Sequence, residues 1–586
     1  MKALQYLNKF FFKYKYRLLI GIICTIVARI LSLFTPRLIR QSLDVVEKYI
    51  NGEVTDMLIV KKELLINILI IIGATLLSGF FTFWMRQMII VVSRYIEFDL
   101  KNEIFAQYER LSLNFYKKNR TGDLMNRISE DVSKVRMYFG PAIMYSINMI
   151  TLFVIVIAYM IQIDKTLTLY TLLPLPVLSF SIYLLSRIIN ERSRIVQEYL
   201  SKLTTFTQEF FSGINVIKAY GIEKYSLKDF DELATESKEK NISLSKVQAF
   251  FFPLMVLLIG VSNIIVIYVG GMRYINGQIE SIGVIAEFII YVNMLTWPVA
   301  VVGWVTSIIQ EAEASQKRIN EFLQIEPEIQ NPTNSHISID GDIEFKNVSF
   351  IYDDTNIKAL DNISFKLPNG ETLAILGKTG SGKSTIAYLI ARLYDVTSGQ
   401  LSIDGKPITE INLDDLRNSI GFVPQEAFLF SDTIKNNIKF GDENATDSVI
   451  ENAAKNAHVH ENIIQFSKGY ETLVGERGVT LSGGQKQRVS IARAIIKNPQ
   501  ILIFDDCLSA VDTETEEIIL NNLKKVSKDK TTIIISHRVS SAKNADHIIV
   551  LEKGKIIQQG NHDTLVNQQG FYQDLYNQQL TEQLLD

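Results

Sequence analysis

The sequence predicts two domains of different kinds, an all-α membrane domain followed by an α/β domain. Long apolar runs with few charges fill the chain up to about residue 310. From residue 341 onward, short β-branched runs alternate with helical stretches, which is typical of a domain with a largely parallel central sheet. We place the membrane domain at 1–324, a polar linker at 325–340 and the α/β domain at 341–586.

Six apolar runs are long enough to cross a membrane, because a spanning helix needs about 20 mostly apolar residues. They cover 17–40, 64–92, 139–161, 166–187, 247–271 and 283–309. Buried helices of a soluble protein are the alternative, but so many runs would need an implausibly large core. A cleaved signal peptide is also disfavoured, since the first run continues past Leu33 without a small-residue cleavage site. We therefore predict six membrane helices.

The distribution of Lys and Arg predicts the orientation of these helices. Basic residues collect before the first span, between the second and third spans, and between the fourth and fifth. Segments rich in Lys and Arg tend to face the cytosol. The chain is thus expected to be a multi-pass protein of the cell membrane, in contact with its lipids, with both termini and the α/β domain in the cytoplasm.

Charge and cysteine content exclude two other classes of function. The formal net charge is −3 and the pI is near 6.2, whereas nucleic-acid binding needs a basic surface, so we expect no nucleic-acid partner. The two cysteines, Cys24 and Cys507, belong to no CxxC or Cys/His cluster. The sequence therefore predicts neither a disulfide framework nor a zinc site.

A phosphate-binding loop follows the apolar strand 373–376 and precedes a helix. Its residues are Gly377, Lys378, Thr379, Gly380, Ser381, Gly382, Lys383 and Ser384. The glycines allow backbone N–H groups to surround phosphates, Lys383 reaches the β- and γ-phosphates, and the Ser384 hydroxyl ligates Mg²⁺. We add the adjoining Thr385 to the nucleotide-binding candidates. The pattern predicts a P-loop domain that binds ATP with Mg²⁺.

A second apolar strand, 501–504, ends in two carboxylates, Asp505 and Asp506. A buried strand that delivers an aspartate to the phosphate site is the usual support for Mg²⁺ in nucleoside triphosphatases. We assign the metal-ligand role to Asp505. Asp506 is the candidate catalytic base that polarises the attacking water, although it could simply cap the strand.

The segment Leu481, Ser482, Gly483, Gly484, Gln485 is the signature motif of ATP-binding cassette (ABC) proteins. With the phosphate loop before it and Asp505 after it, the order resembles the whole cassette. The likeness extends to the membrane half, so the chain resembles an exporter-type half-transporter with a fused six-helix membrane domain. Such proteins are ATPases that move substances across membranes.

The resemblance implies roles for further residues. Tyr352 resembles the aromatic residue that stacks on adenine, and His537 the switch histidine at the γ-phosphate. Gln425 resembles the residue that joins Mg²⁺ and the attacking water to the membrane domain. Segment 509–512 resembles the loop lining the dimer contact, and segment 475–478 a short loop that precedes the signature in exporters.

In this family two cassettes close on two nucleotides. The resemblance therefore implies that Ser482, Gly483, Gly484 and Gln485 contact the ATP of a partner half-transporter, and a helix N-terminus suits a γ-phosphate. Residues 115–131 resemble the first coupling region of six-span exporters. Glu209, Gly213, Ile217, Lys218 and Tyr220 resemble the second.

Asp506 departs from the family pattern, which usually has Glu at this position. Aspartate is one methylene shorter than glutamate, so its carboxylate lies about 1.5 Å nearer to the backbone. A misplacement of a catalytic group by about 1 Å can lower the rate on the order of 10²-fold. Such an aspartate resembles the mark of the slow site in transporters built from two different halves. This favours a heterodimer slightly over a homodimer, with a slowly hydrolysing regulatory half as one alternative function.

The predicted function is ATP-driven export of a lipid, drug or peptide-like substrate, with an importer of the same architecture as another alternative. The transported substrate is not specified by these motifs. Polar residues within the spans could line its path: Arg29, Arg86, Gln87, Asn148, Asn263, Asn293 and Trp297. Because charges at membrane depth are costly and tend to face a cavity or a partner, Arg29 and Arg86 are the foremost candidates.

Overall fold

The structure, a computed structural model, describes residues 2–585 except 476, 477, 479, 510 and 512. It divides into two compact units. The helical unit comprises Met1–Tyr108 and Gly122–Ile325, and the cassette unit comprises Glu109–Thr121 and Glu326–Asp586. The first is all-helical and the second has an α/β core, which confirms the predicted fold class.

Helices occupy most of the chain before residue 324. They are α1 (Asn8–Lys13), α2 (Lys15–Ser32), α3 (Phe34–Ile50), α4 (Met57–Arg110), α5 (Leu113–Lys118), α6 (Thr121–Asn126), α7 (Val132–Met137), α8 (Ile143–Ile163), α9 (Lys165–Leu172), α10 (Pro174–Ser212), α11 (Ile214–Tyr220), α12 (Glu223–Ile275) and α13 (Gly283–Leu323). A 3₁₀ turn precedes α1 at Ala3–Leu7, and π-helical turns lie at Arg127–Asp131 and Tyr138–Ala142.

In the part of the chain that the structure describes, five helical stretches are long and apolar enough to cross a membrane. They are Lys15–Ile50, Met57–Arg110, Thr121–Ile163, Glu223–Ile275 and Gly283–Leu323. These stretches overlap all the predicted spans except the fourth, 166–187. There α9 ends at Leu172 and α10 begins at Pro174, which has no N–H group to continue the helical bonding, while Leu173 between them keeps helical backbone angles. The fourth span stays a prediction.

Two charge pairs connect helices inside the helical unit. Glu287 of α13 is fully buried, accepts a hydrogen bond from the Tyr291 hydroxyl at 2.7 Å, and lies 3.3 Å from Arg40 Nη1. Arg273 Nη2 donates to Asp164 Oδ2 at 2.9 Å. Charged groups away from water are costly unless a partner neutralises them, so these pairs help to set the packing of the helices.

Ten strands are found in the described part of the cassette unit. They are β1 (Ile343–Ile351), β2 (Lys358–Leu367), β3 (Thr372–Gly377), β4 (Ser398–Ile403), β5 (Lys406–Pro407), β6 (Ile420–Val423), β7 (Ile501–Asp505), β8 (Thr531–Ile535), β9 (His547–Glu552) and β10 (Lys555–Gly560).

Helices flank these strands. They are α14 (Lys383–Ile390), α15 (Leu413–Asn418), α16 (Ile434–Lys439), α17 (Asp447–Asn456), α18 (His460–Ile464), α19 (Gly483–Ile496), α20 (Thr513–Val526), α21 (Val539–Ala542), α22 (His562–Val566) and α23 (Phe571–Leu585).

Two sheets form the core of the cassette unit. One is antiparallel, with the order β2-β1-β4-β5, and the other has the order β10-β9-β3-β8-β7-β6. In the second sheet all neighbouring strands are parallel except β10 and β9. Strands β3 and β7 coincide with the apolar strands 373–376 and 501–504 that the sequence predicts. Because carboxyl ends of parallel strands share one edge, Gly377 and Asp505 are brought to the same side.

Candidate functional site

The loop after β3 needs glycine at several positions. Gly377, Gly380 and Gly382 have φ angles of 147°, 77° and 101°, which residues with a side chain rarely adopt. A Cβ atom on Gly377 would lie 2.2 Å from the Leu551 carbonyl oxygen, and one on Gly382 would lie 2.3 Å from that of Ala359. The chain can therefore curl tightly into α14 only because these residues lack side chains.

Lys383, the first residue of α14, is held by this loop. Its ammonium group donates to the carbonyl oxygens of Gly377 at 2.8 Å and Lys378 at 3.0 Å. Burial lowers the pKa of Lys383, while the charges of Asp506 and Asp505 oppose that shift. The hydroxyl of Ser381 nearby is buried without a hydrogen-bond partner. The loop thus holds a buried cation and a free polar atom, as a phosphate site requires.

Asp505, at the end of β7, is fully buried. Its Oδ1 accepts a hydrogen bond from the Ser384 hydroxyl at 2.9 Å, whereas its Oδ2 is buried with no partner. Burial is the main cause that raises the pKa of Asp505, with the charge of Asp506 adding to it. A carboxylate oxygen left unsatisfied beside a serine hydroxyl is an arrangement that a cation would complete.

Asp506 follows with a left-handed backbone, φ 44°, and its N–H donates to the Ile535 carbonyl oxygen at 2.9 Å. Its Oδ2 accepts from Gln425 Nε2 at 3.3 Å. Burial raises the pKa of Asp506, and the nearby charges of His537 and Lys383 oppose the rise. Burial also lowers the pKa of His537. The backbone angle of Asp506 and its two hydrogen bonds together fix where this carboxylate lies.

One cavity of about 320 Å³ brings the predicted residues together. Those lining it are Tyr352, Thr379, Gly380, Ser381, Gly382, Lys383, Ser384, Thr385, Gln425, Asp505, Asp506 and His537. Gly377 does not line the cavity, but its carbonyl oxygen accepts a hydrogen bond from the Lys383 ammonium. Lys378 does the same, and its side chain is 70% exposed near Glu552.

The signature residues lie outside this cavity, at the start of α19. Ser482 caps the helix: its hydroxyl accepts from the Gln485 N–H at 3.3 Å, and Gln485 Oε1 accepts from the Ser482 N–H at 2.9 Å. Gly483 and Gly484 form the first turn. The N-terminus of α19 is therefore well ordered and remains separate from the cavity of its own chain.

Two predicted loops lie partly outside the described residues. In segment 475–478 these are Glu476 and Arg477, and in segment 509–512 they are Ala510 and Asp512. Ser509, which is described, donates its hydroxyl to the Asp506 carbonyl oxygen at 3.0 Å.

The coupling regions contain exposed and paired side chains. In the first, Arg127 lies 3.0 Å from Asp123, and Asp131 accepts from Arg318 Nε at 3.0 Å. In the second, Lys218 donates to Glu223 at 3.0 Å and Tyr220 is largely exposed. The coupling role of both regions stays a prediction.

Sequence reasoning missed a contact between Lys117 of α5 and the aromatic cluster at Tyr352. The Lys117 ammonium lies 4.4 Å from the ring centroid of Tyr352 and 5.0 Å from that of Tyr394. The Tyr352 hydroxyl is 3.1 Å from Thr385 Oγ1. Burial raises the pKa of Tyr352, and Lys117 opposes the rise. The contact joins distant parts of the chain, so no local signal in the sequence could have indicated it.

Comparison with protein-family models gives two matches. Residues 18–299 match the ABC transporter transmembrane region, and residues 360–509 match the ABC transporter family.

Known relatives match more than four fifths of the chain, and a solved structure matches nearly all of it. The multidrug resistance-like ATP-binding protein MdlA of Escherichia coli is 38% identical over 489 residues, which are 83% of each chain. A probable multidrug resistance ABC transporter ATP-binding/permease protein of Bacillus subtilis, YheI, is 38% identical over 82% of each. The structure of a bacterial Atm1-family ABC exporter with ATP bound matches with a TM-score of 0.80 and 25% identity, covering 96% of this chain and 98% of that one.

Replacing Tyr352 by Ala should weaken ATP binding about ten-fold or more, because an aromatic platform under a base contributes about 1–3 kcal/mol. Tyr352→Phe is the matched control, since it keeps the ring and loses only the hydroxyl contact with Thr385. Equilibrium binding of radiolabelled ATP to the purified protein measures both. An Ala variant that binds ATP as tightly as the wild type would contradict the stacking role.

Proposed function

Because this chain belongs to the ABC transporter family and is an ATPase coupled to export through a multi-pass membrane domain, we propose that it exports drug-like compounds as one half of a dimeric pump. The cavity that gathers Lys383, Asp505, Asp506 and His537 supports this proposal most directly. The names of its multidrug relatives support the substrate class. We also propose that both termini and the cassette lie in the cytoplasm, with domain boundaries near 324 and 341.

The geometry supports a division of labour within the cavity. Lys383 and the loop N–H groups would bind the phosphates, Tyr352 the adenine, and Asp506 would accept a proton from the attacking water. His537 lies within the same cavity, where its imidazole could contact the γ-phosphate. Gln425, which bonds Asp506, would keep that carboxylate oriented. Each of these groups acts by position and charge, as phosphoryl transfer requires.

The residues present fit a magnesium ion. The buried Oδ2 of Asp505 has no partner, and Ser384 and Gln425 supply the neutral oxygens that such a hard cation accepts. When bound, Mg²⁺ would neutralise charge on the β- and γ-phosphates. In its absence Ser384 donates to Asp505 and orients that carboxylate.

The separate position of the signature supports a dimer. Ser482, Gly483, Gly484 and Gln485 lie outside the cavity of their own chain, yet they form an ordered helix N-terminus with a positive dipole end. We propose that this terminus contacts the γ-phosphate held by a second half-transporter.

Both the phosphate loop and the signature are intact here, so either a homodimer or a heterodimer could form, and Asp506 favours the heterodimer slightly.

Transport should depend on Lys383. In inside-out membrane vesicles the wild type should drive ATP-dependent accumulation of a drug-like dye such as Hoechst 33342, and Lys383→Ala should abolish it, because the variant loses the cation that meets the phosphates. Lys346→Ala is the matched control, since that side chain is exposed and does not line the cavity. Unchanged transport by Lys383→Ala would contradict the pump, and ATP-driven loss of dye from the vesicles would indicate import.

ATP turnover by the purified chain alone tests the slow-site interpretation of Asp506. We expect low activity that rises about ten- to a hundred-fold in Asp506→Glu, because the added methylene brings the carboxylate to the distance at which it can accept a proton from the attacking water. Asp506→Asn should stay low. Robust wild-type activity that Asp506→Asn abolishes would contradict the slow site and favour a homodimer with two working bases.

A further inference from the structure

A second cavity, of about 260 Å³, lies within the helical unit. Residues of α2, α8 and α13 line it, among them Arg29, Tyr145, Asn148, Asn293, Met294 and Trp297. Arg29 lies near the middle of the first predicted span, 17–40. The cavity is therefore placed among membrane-spanning helices, far along the sequence from any nucleotide-binding residue.

Arg29 has no acidic partner. Its Nε donates to Asn148 Oδ1 at 2.5 Å, and among the described residues no carboxylate lies within ion-pair distance and no group bonds its Nη1 or Nη2. Two arginines elsewhere in this unit do have acidic partners: Arg40 lies beside Glu287, and Arg273 beside Asp164. An uncompensated cation within a span is costly, and it persists where it serves a ligand path.

The remaining walls of this cavity are mostly apolar. Trp297 is 70% exposed, and Tyr145 packs edge-on against Trp304 with ring centroids 5.4 Å apart. Met294 contributes a flexible apolar side chain that adapts to different shapes. A single positive group beside aromatic and aliphatic surface suits a ligand with a charged end and an apolar body.

We infer that this cavity binds an amphipathic organic anion, with an oxyanion group on Arg29 and an aromatic or aliphatic body against Trp297. The free Nη1 and Nη2 form the planar fork that pairs with two oxygens of a carboxylate or phosphate. Asn148 keeps that fork in place through Nε. The inference rests on the proposed export function and names the substrate class of that pump.

Binding of 2-naphthoate and of its methyl ester tests this directly. The full chain is placed in nanodiscs of neutral phosphatidylcholine, and both radiolabelled probes are measured without ATP. We expect the acid to bind at least about ten-fold more tightly than the ester, since charge-assisted hydrogen bonds are the strong ones. Arg29→Gln should remove that preference and leave ester binding unchanged.

Two further variants complete the test. Arg86→Gln is the matched control, because Arg86 also lies in a predicted span but is exposed and does not line this cavity, so it should behave as the wild type. Asn148→Asp places a carboxylate beside Arg29 and should also abolish acid binding. Retained ATP binding would show that Arg29→Gln is folded. If that variant does not fold, Asn148→Asp still tests the inference.

Phosphatidylglycerol in the nanodiscs distinguishes a lipid headgroup from a free acid. If phosphatidylglycerol competes with 2-naphthoate, and Arg29→Gln removes this competition, the site belongs to a lipid anion. If phosphatidylglycerol does not compete, the site belongs to a free organic acid. Equal binding of acid and ester, or full acid binding by Arg29→Gln and Asn148→Asp, would overturn the inference. The binding assay uses no ATP, so a negative result there would overturn the anion site and leave the export proposal standing. Transport that no longer depends on Lys383 would contradict the export proposal and leave the binding results unchanged.

Discussion

A buried carboxylate with one unsatisfied oxygen is the constraint around which the cassette is arranged. Asp505 is fully buried, and its Oδ2 has no hydrogen-bond partner. Such a group lowers stability on its own, because desolvation of a charge is not compensated. It is tolerated here beside a second buried charge, Lys383, and both are incomplete without a ligand. The site is therefore prepared for a nucleotide with its metal at some cost to the unliganded fold.

The parallel sheet explains how these groups meet. Strand β7 pairs with β8, and β8 with β3, so the carboxyl ends of β3 and β7 deliver the phosphate loop and Asp505 to one edge. The glycine at 377 lets the chain turn before Lys383, and the left-handed Asp506 directs its carboxylate towards Gln425. In the helical unit Glu287 and Asp164 have basic partners, whereas Arg29 faces a cavity with Asn148 as its neighbour and without an acid among the described residues.

The phosphate loop of the candidate site could be predicted from sequence because its residues are contiguous, whereas Tyr352, Gln425 and His537 were assigned through the family resemblance. Residues 377–384 carry their own backbone requirements, and Asp505 follows a short β-branched apolar run that is typical of a buried strand. The Lys117 contact with Tyr352 and the Arg29 contact with Asn148 could not be predicted, since each depends on how distant segments pack. The fourth span stays a prediction, and the apolar composition of 166–187 did not show that a new helix starts within it at Pro174.

Thermal unfolding of wild type and Asp505→Asn, each without ligand, with ATP and with ATP plus Mg²⁺, tests the central claim most directly. The account predicts that unliganded Asp505→Asn melts at least as high as the wild type, because a neutral amide relieves the buried charge. It also predicts that Mg²⁺ adds to the ATP-induced rise only in the wild type. An Asn variant that melts several degrees lower without ligand and still gains the full Mg²⁺ increment would contradict it.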